Sequence, residues 1–321
     1  MTKSNPMMVD PPQRSGDSAG NDLTTADAEE LRSVRKDRGQ AMEQQTAATY
    51  PLQHLQKPNG GIPALELPES PSCWDCELSA RWIAEDLRRA RELQILLLPR
   101  KLVGQDGLEI AAGFRPAHGV SGDIFDLFDC GDDRVVLTLG DVSGKGAAAA
   151  IYGAVVSGLL WTMVGRLRRP ARLLQALNAA LLERRIESQS VSLLVVSWQA
   201  HCRRLRLASA GAIRPLICRN GEVRELDLGG VPLGLWEKWE YEEASLQMEA
   251  NDVVVLCSDG ITEQENPAGQ QYDRRIVQVL RNVWEQSPQF IVDAIFGDLD
   301  RFVGNLFERS DDQTLAVFKV T

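Results

Sequence analysis

Four short turns in the sequence place an aspartate beside glycine or at the end of an apolar run. They are Ser121-Gly122-Asp123, the heptapeptide GDVSGKG at 140–146, Ser258-Asp259-Gly260 and Ser310-Asp311-Asp312. Glycine lets the backbone approach a ligand closely and adopt turns that other residues resist. We therefore expect exposed carboxylates at the ends of buried strands.

These residue types suit metal-assisted chemistry on phosphate esters. Mg²⁺ and Mn²⁺ prefer carboxylate, carbonyl and water oxygens, and two such ions can activate water and polarise a phosphoryl group. A single Asp-Gly pair is usually an ordinary turn, but four acidic turns from distant parts of one chain are how such a site is commonly assembled. The pattern predicts a hydrolase with two divalent ions.

The elements that must position these turns are short strands and pairs of helices. Many of the strands are apolar nearly throughout, which indicates strands covered on both faces. Strand runs interrupted by helix pairs, without strict βαβ alternation, favour an α+β fold, a four-layer α-β-β-α sandwich of two antiparallel sheets flanked by helices. The predicted strands are 108–114, 124–130, 134–140, 190–198, 204–210, 212–219, 252–258 and 314–320, and the predicted helices are 146–167, 170–185, 272–285 and 289–304.

The N-terminal part has a different composition from the rest. Residues 1–72 are rich in Pro, Ser, Gln, Asp and Gly and predict a disordered tail, because too little apolar surface is available to offset the entropy of ordering. Apolar positions spaced three and four apart predict a linker helix over 77–98, with Gln94 at a seam position. That helix either caps the domain at 100–321 or pairs two chains as a homodimer.

Composition excludes some functions. A net charge of −10 argues against nucleic-acid binding, which needs a basic surface. The six cysteines lie mostly in apolar stretches, as free thiols of a reducing cytosol do. The N-terminus lacks the apolar core of a signal peptide, and the uncharged stretch 146–165 is interpreted as a buried helix instead of a membrane span. We expect a cytoplasmic protein with no membrane or nucleic-acid partner.

The order of motifs resembles the PPM, or protein phosphatase 2C-like, family over about residues 100–320. Within that family it is similar to the bacterial branch of sporulation and stress-response regulators. The motifs that carry the resemblance are VSGDIFD at 120–126, GDVSGKG at 140–146, ASAGAIRPL at 208–216, GVPLGL at 230–235, SDGITEQENPAG at 258–269 and DDQTLAVF at 311–318.

The resemblance implies a set of site residues. Asp141 would bridge two Mn²⁺ or Mg²⁺ ions, the carbonyl of Val142 would assist, and Asp123, Asp259 and Asp311 would complete the metal shell. Matching positions of less certain role are Asp126, Glu263 and Asp312. In the turn that enters the helix, Ser143, Gly144 and Lys145 could turn backbone N–H groups towards an anion. His118 is a candidate general acid, although a solvated loop histidine is the more ordinary interpretation.

The activity implied by the resemblance is hydrolysis of phosphoserine or phosphothreonine on a regulatory protein by a metal-bridging hydroxide. The typical substrate of this branch is a STAS-type anti-sigma-factor antagonist, in signalling that controls transcription by partner switching during stress. Two other functions remain open. One is a catalytically weak phosphatase-like scaffold that only binds the phosphoprotein, and the other is a metal-dependent hydrolase of nucleotides or other small phosphate esters.

Overall fold

The computed structural model describes residues 73–99, 107–117, 119–183, 189–304 and 309–321, with side chains described from residue 81 onward. These residues all belong to one compact unit, Leu55–Thr321. The predicted tail at 1–72 lies outside the described residues.

Two antiparallel sheets form the centre of the molecule. Sheet A has the strand order β1-β10-β9-β6-β7, and sheet B has the order β2-β3-β4-β5-β8. The strands of sheet A are β1 (Leu108–Arg115), β6 (Leu216–Arg219), β7 (Glu222–Glu225), β9 (Val253–Cys257) and β10 (Gln313–Val320). The strands of sheet B are β2 (Ile124–Asp129), β3 (Arg134–Val142), β4 (Val191–Gln199), β5 (Arg204–Ala210) and β8 (Ala244–Gln247).

Helices cover the outer faces of both sheets. A linker helix precedes the sheets, and a 3₁₀ turn, Ala200–Cys202, joins β4 to β5. The helices are α1 (Cys73–Leu97), α2 (Ala147–Met163), α3 (Pro170–Glu183), α4 (Asp259–Thr262), α5 (Asp273–Val283) and α6 (Pro288–Val303).

Three apolar cores follow from the two-sided burial of the strands. The core between the sheets contains Leu137, Val196 and Phe318. A second core lies between sheet B and the helices α2 and α3, and a third lies between sheet A and the helices α5 and α6. Every residue of β10 is buried, as expected of a strand covered on both faces. The four-layer α-β-β-α prediction is confirmed.

Most of the predicted elements exist, with ends displaced by a few residues. The largest differences are of four residues, and among them the predicted strand at 212–219 begins only at Leu216 and the predicted helix at 146–167 ends at Met163. The prediction missed β7, β8 and α4, each only four residues long. The linker helix begins at Cys73 instead of 77 and ends at Leu97, where 98 was predicted.

The uncharged stretch after Gly146 forms α2, which packs on sheet B. Ala149, Val156 and Leu160 are buried there, and Gly153 faces Gly122 and Val142 across the contact with sheet B. No helix among the described residues is long and apolar enough to cross a membrane. The cysteines at 130, 202, 218 and 257 are free thiols.

Candidate metal centre

Strand pairing brings the acidic turns to one edge of the sandwich. Within sheet B, Ile124 pairs with Gly140, so Asp123 lies beside Asp141. Within sheet A, Leu315 pairs with Cys257, which sets the turn before β10 beside Asp259 at the start of α4. The described turns that carry the predicted ligands therefore meet where the two sheets adjoin.

Hydrogen bonds that involve the side chains of Asp312 and Thr314 join the two sheets at this edge. The carboxylate of Asp312 accepts from the backbone N–H of Gly122 at 2.9 Å and of Ala117 at 2.8 Å. The hydroxyl of Thr314 donates to the carboxylate of Asp123. Asp312 thus holds the turn of sheet B against sheet A, which suits the supporting position expected from the sequence.

The carboxylates disturb one another electrostatically. Burial, followed by repulsion from Asp259 and Asp311, raises the pKa of Asp141 to about 7. Burial and the charge of Asp311 raise the pKa of Asp259. Burial, then the neighbouring charge of Asp141, raises the pKa of Asp123 well above its usual range, against a lowering by its hydrogen bond from Thr314. Mutual repulsion of this kind is relieved by a bound cation.

Gly122 leaves open a space that two oxygen atoms face. A Cβ atom at this position would lie 3.1 Å from Oδ1 of Asp141 and 3.4 Å from the carbonyl oxygen of Val142. It would also lie 3.2 Å from Cβ of Ala149 on α2. The carboxylate of Asp141 and the carbonyl of Val142, both predicted ligands, therefore border the same small space.

A second glycine allows the turns of Asp259 and Asp312 to touch. A Cβ atom on Gly260 would lie 2.0 Å from the carbonyl oxygen of Asp312, a distance that no side chain tolerates. Ser258 strengthens the same contact, because its hydroxyl donates to that carbonyl at 3.2 Å and accepts from the N–H of Thr314 at 2.9 Å. Close backbone contact here explains why glycine follows Asp259.

Lys145 forms an ion pair with the carboxylate of Asp311. Its ammonium lies 2.8 Å from Oδ2 of Asp311 and donates to the carbonyl of Ser310 at 2.8 Å. Across the described residues, no group of three or more His, Cys, Asp and Glu side chains is arranged to hold a metal ion. The donor chemistry, oxygen atoms only and mutually repelling, fits a hard divalent cation. For three carboxylates to bind such a cation together, their side chains must rotate from the positions seen in this structure.

Three other predicted residues take different places. Asp126 is buried and accepts a hydrogen bond from Ser157 of α2 at 2.7 Å, and burial raises its pKa. Glu263 has an exposed side chain at the end of α4, and its backbone N–H donates to the backbone carbonyl of Asp259. His118 lies outside the described residues.

The anion-binding prediction for the turn before α2 needs correction at Ser143. Its N–H donates to the carbonyl of Ser190 at 2.9 Å, and its hydroxyl accepts from the N–H of Ser190 at 2.8 Å. Ser143 therefore ties β3 to the segment before β4 and does not offer its N–H to an anion. Gly144 has a φ of 93°, a conformation that explains glycine at this position.

Sequence reasoning missed the supporting role of Gln264. Its side chain is buried, and its Oε1 accepts from the N–H of Ser310 at 3.3 Å and from Nε2 of Gln313 at 3.4 Å. It thereby holds the turn that contains Asp311. The sequence offered no signal for this contact, because it joins positions 46 and 49 residues apart.

Gln94 of α1 contacts the turn that precedes Asp123. Its side-chain amide donates to the carbonyl of Ser121 at 2.7 Å and accepts from the N–H of Ser121 at 2.9 Å. Leu87, seven residues and so about two helical turns earlier, packs against Gly119. In contrast, Leu96 and Leu97 are exposed, at 55% and 61%. The linker helix therefore touches the domain through Gln94 and Leu87, and of the leucine run only Leu98, just after the helix ends, packs against the core between the sheets.

A cleft of about 170 Å³ opens beside Asp141 and Asp259. Its walls come from both sheets and consist mostly of small side chains, among them Ser192, Gly211 and Ala212. The loop after β7 borders it through Pro232 and then exposes Trp236 and Trp239, whose rings make an edge contact at 6.0 Å. The cleft therefore leads directly to the carboxylates of Asp141 and Asp259.

Comparison with known proteins agrees with the sequence resemblance. Residues 131–321 match the family described as Stage II sporulation protein E (SpoIIE). Phosphoserine phosphatase RsbU of Bacillus subtilis (strain 168) is 24% identical over 239 residues, which cover 74% of this chain and 70% of RsbU.

Solved structures share the fold. The SiaA-PP2C domain of Pseudomonas aeruginosa superposes with a TM-score of 0.66 at 20% identity, covering 76% of this chain and 99% of that domain. RsbX in complex with magnesium superposes with a TM-score of 0.53 at 16% identity, covering 69% of this chain and 99% of RsbX.

Proposed function

The chain belongs to the Stage II sporulation protein E (SpoIIE) family, and from this premise we propose that it is a protein serine/threonine phosphatase. The proposed reaction is hydrolysis of phosphoserine or phosphothreonine on a regulatory partner protein. We assign the binding of two Mn²⁺ or Mg²⁺ ions to the carboxylates of Asp123, Asp141, Asp259 and Asp311 and to the carbonyl of Val142.

The observation that carries this proposal is the mutual repulsion of Asp141, Asp259 and Asp311 at the edge where the sheets meet. A protein gains nothing in stability from placing three carboxylates so close that the pKa values of Asp141 and Asp259 are raised, whereas a cation turns the same repulsion into binding energy. RsbX, which shares the fold, has been solved with magnesium.

The residues of this chain have distinct parts in the proposed reaction. Bound divalent cations would supply an activated water molecule and neutralise the phosphoryl oxygens. Asp312 and Thr314 keep the two sheets in register, so that Asp123 and Asp141 stay fixed relative to Asp259. Lys145, which is 57% exposed, is placed to attract the phosphate group towards the carboxylates.

The cleft supports a protein substrate over a nucleotide. Its volume of about 170 Å³ is below the roughly 300–1,000 Å³ of pockets that enclose small-molecule ligands. It suits one phosphorylated side chain. The exposed rings of Trp236 and Trp239 beside it are of the residue type that dominates protein interfaces. We propose that a folded partner contacts this loop while its phosphoserine enters the cleft.

The partner we propose is a STAS-type anti-sigma-factor antagonist, as the family resemblance implies. The relative RsbU is named a phosphoserine phosphatase, which supports phosphoserine as the group removed. Partner switching in a stress response would then depend on how fast this chain removes the phosphate. We further propose that α1 regulates the site through Gln94, either within one chain or in a homodimer.

Comparing substrates separates this function from its two rivals. Mn²⁺-dependent phosphate release would be measured from phosphorylated casein, p-nitrophenyl phosphate and ATP, with Asp259→Asn as the control. Release from the phosphoprotein that is lost in the control is expected. A preference for ATP would favour a hydrolase of small esters, and no release from any substrate by folded, metal-loaded protein would favour the scaffold.

A further inference from the structure

A second cleft lies on the outer face of sheet B, at the end of β3 farthest from Asp141. It has a volume of about 240 Å³. We call it the arginine pocket, and its polar lining includes Arg134, Arg168, Ser197, Gln199, Arg204 and Arg206. Four arginines in one cleft are unexpected in a chain with a net charge of −10.

Strand register places these side chains on one face. Gln199 of β4 pairs with Arg134 of β3 on one side and with Arg204 of β5 on the other, while Ser197 pairs with Arg206. Directly paired residues of neighbouring strands point to the same face. This row lies beyond the apolar core under α2 and α3, so the outer face of sheet B becomes cationic where the helical layer ends.

Among the described residues, only one of the four arginines has an acidic partner, and two have no side-chain partner at all. Arg168 is paired with Asp132 at 3.0 Å, and Arg134 donates to the carbonyl of Val164 at 2.9 Å, just after the end of α2. In the part of the chain that the structure describes, neither Arg204 nor Arg206 forms an ion pair or a hydrogen bond through its side chain. Two adjacent, unneutralised guanidinium groups repel each other and attract an anion.

Ser197 points to the same conclusion independently of charge. It is 6% exposed and lines the arginine pocket, yet its hydroxyl has no hydrogen-bond partner among the described residues. This hydroxyl is not among the fully buried polar atoms that lack a partner in the described part of the chain, so it is reached from the cleft and is available to donate there. A ligand oxygen in the pocket would satisfy it.

We propose that the arginine pocket binds a small phosphate-type oxyanion. Arg204 and Arg206 would donate to its oxygens in the forked geometry that suits phosphate, and Ser197 would donate its hydroxyl. The volume of 240 Å³ is again below that of pockets for drug-sized ligands, so the ligand is inorganic phosphate, pyrophosphate or the phosphate end of a small metabolite.

This site is separate from the candidate metal centre. Arg134 and Asp141 lie seven residues apart on β3, a distance of about 23 Å at the usual rise of a strand. The proposal does not depend on phosphatase activity, and the binding test can be made without any substrate turnover. It also needs no metal, because the attracting charges are arginines.

The test is isothermal titration calorimetry with inorganic phosphate and with pyrophosphate in 150 mM NaCl. The protein is first stripped of divalent cations on a chelating resin, so that the aspartate cluster repels anions and does not compete. We compare the wild type with the double variant Arg204→Gln/Arg206→Gln and with Arg224→Gln, an exposed arginine of β7 in sheet A.

Saturable binding that weakens at least about tenfold in the double variant, and is unchanged in Arg224→Gln, is the expected result. Ser197→Ala should weaken phosphate binding although every charge is kept. Arg206→Lys should also weaken it, because lysine keeps the positive charge but cannot donate two parallel hydrogen bonds as a guanidinium group does. If the double variant does not fold, the phosphate affinities of these two single variants test the proposal. No saturable binding, or equal binding by the wild type and the pocket variants, would overturn the proposal.

Discussion

The ammonium group of Lys145 lies 2.8 Å from the carboxylate of Asp311, so a cation of the chain itself occupies one of the four predicted metal-binding aspartates. Lys145 belongs to the turn after β3 in sheet B, and Asp311 precedes β10 in sheet A. The ion pair therefore spans the junction of the two sheets. A divalent ion that uses Asp311 has to displace this lysine or share the carboxylate with it.

We expect Lys145→Gln to lower the Mn²⁺ concentration needed for half-maximal phosphatase activity. Removing a positive charge beside three carboxylates makes the site more attractive to a cation. Because the pair is partly exposed, the gain should be modest, about two- to fivefold. Titration of activity with Mn²⁺ measures it, with Arg224→Gln as a control for a lost surface charge. An unchanged or higher metal requirement would contradict the competition.

Gly122→Ala should impair catalysis without unfolding the protein. The added Cβ atom would lie 3.1 Å from Oδ1 of Asp141, so that the carboxylate must shift by a few tenths of an ångström. A displaced ligand should reduce kcat/KM by at least about tenfold.

The matched control is Gly158→Ala on α2, where a Cβ atom meets nothing within 4 Å. That change should leave kcat/KM unaltered and stabilise the protein by about 0.5–1 kcal/mol, because alanine favours a helix interior. Equal kcat/KM values for Gly122→Ala and the wild type would show that the space beside Gly122 is not used.

Gln94→Ala should raise the metal requirement of the enzyme. The substitution removes both hydrogen bonds to Ser121, which leaves the turn that carries Asp123 less ordered before metal binding. Part of the free energy of metal binding is then used to order this turn, so the affinity for metal falls. We expect an increase of at least about threefold in the Mn²⁺ concentration for half-maximal activity. Arg91→Ala, an exposed position on the same helix, is the control. No difference between the two variants would remove α1 from the regulation of the site.

The pH dependence of the free energy of unfolding should show the contribution of the ionised carboxylate of Asp298 on α6. Arg275 binds this carboxylate with two hydrogen bonds, at 2.6 and 3.0 Å, and thereby lowers its pKa. A lowered folded-state pKa contributes stability above the unfolded value of about 3.9, and that stability is lost as the pH falls through the lower folded-state value.

Asp298→Asn should therefore reduce the free energy of unfolding by about 1–3 kcal/mol at pH 7 and by progressively less below pH 4. Urea unfolding across this range measures the difference. Asp293→Asn is the control, since within the described ranges of the chain Asp293 accepts a hydrogen bond only from Gln289, on the exposed face of the same helix. A loss for Asp298→Asn that stayed constant down to pH 2 would rule out the linkage.

The fold was accessible from the sequence because its central strands are buried on both faces. Continuous apolar runs such as VVLTL in β3 and LAVF in β10 predict strands regardless of their neighbours. The edge strands β7 and β8 lack that signal, since EVRE has only one buried residue, ASLQ has none, and each strand spans only four positions. Pairing with β6 and β5, which the sequence does not display, defines them.

The candidate site was predicted only in its residue types. Glycine beside aspartate identified Asp123, Asp141 and Asp259, because a turn with close backbone approach leaves a local trace in the sequence. Long-range partners leave none: Gln94 with Ser121 and Lys145 with Asp311 join positions 27 and 166 residues apart. The roles of Asp312 and Gln264 likewise became visible only when the two sheets were brought together.

The most direct test of this account compares the wild type with Asp141→Asn. Mn²⁺-dependent release of phosphate from a phosphoserine protein would be measured for both, with thermal unfolding as a check of the fold. The account predicts release by the wild type that stops on chelation and falls at least about a thousandfold in the variant. Equal rates from two equally folded proteins would contradict the assignment of the aspartate cluster as the catalytic metal centre.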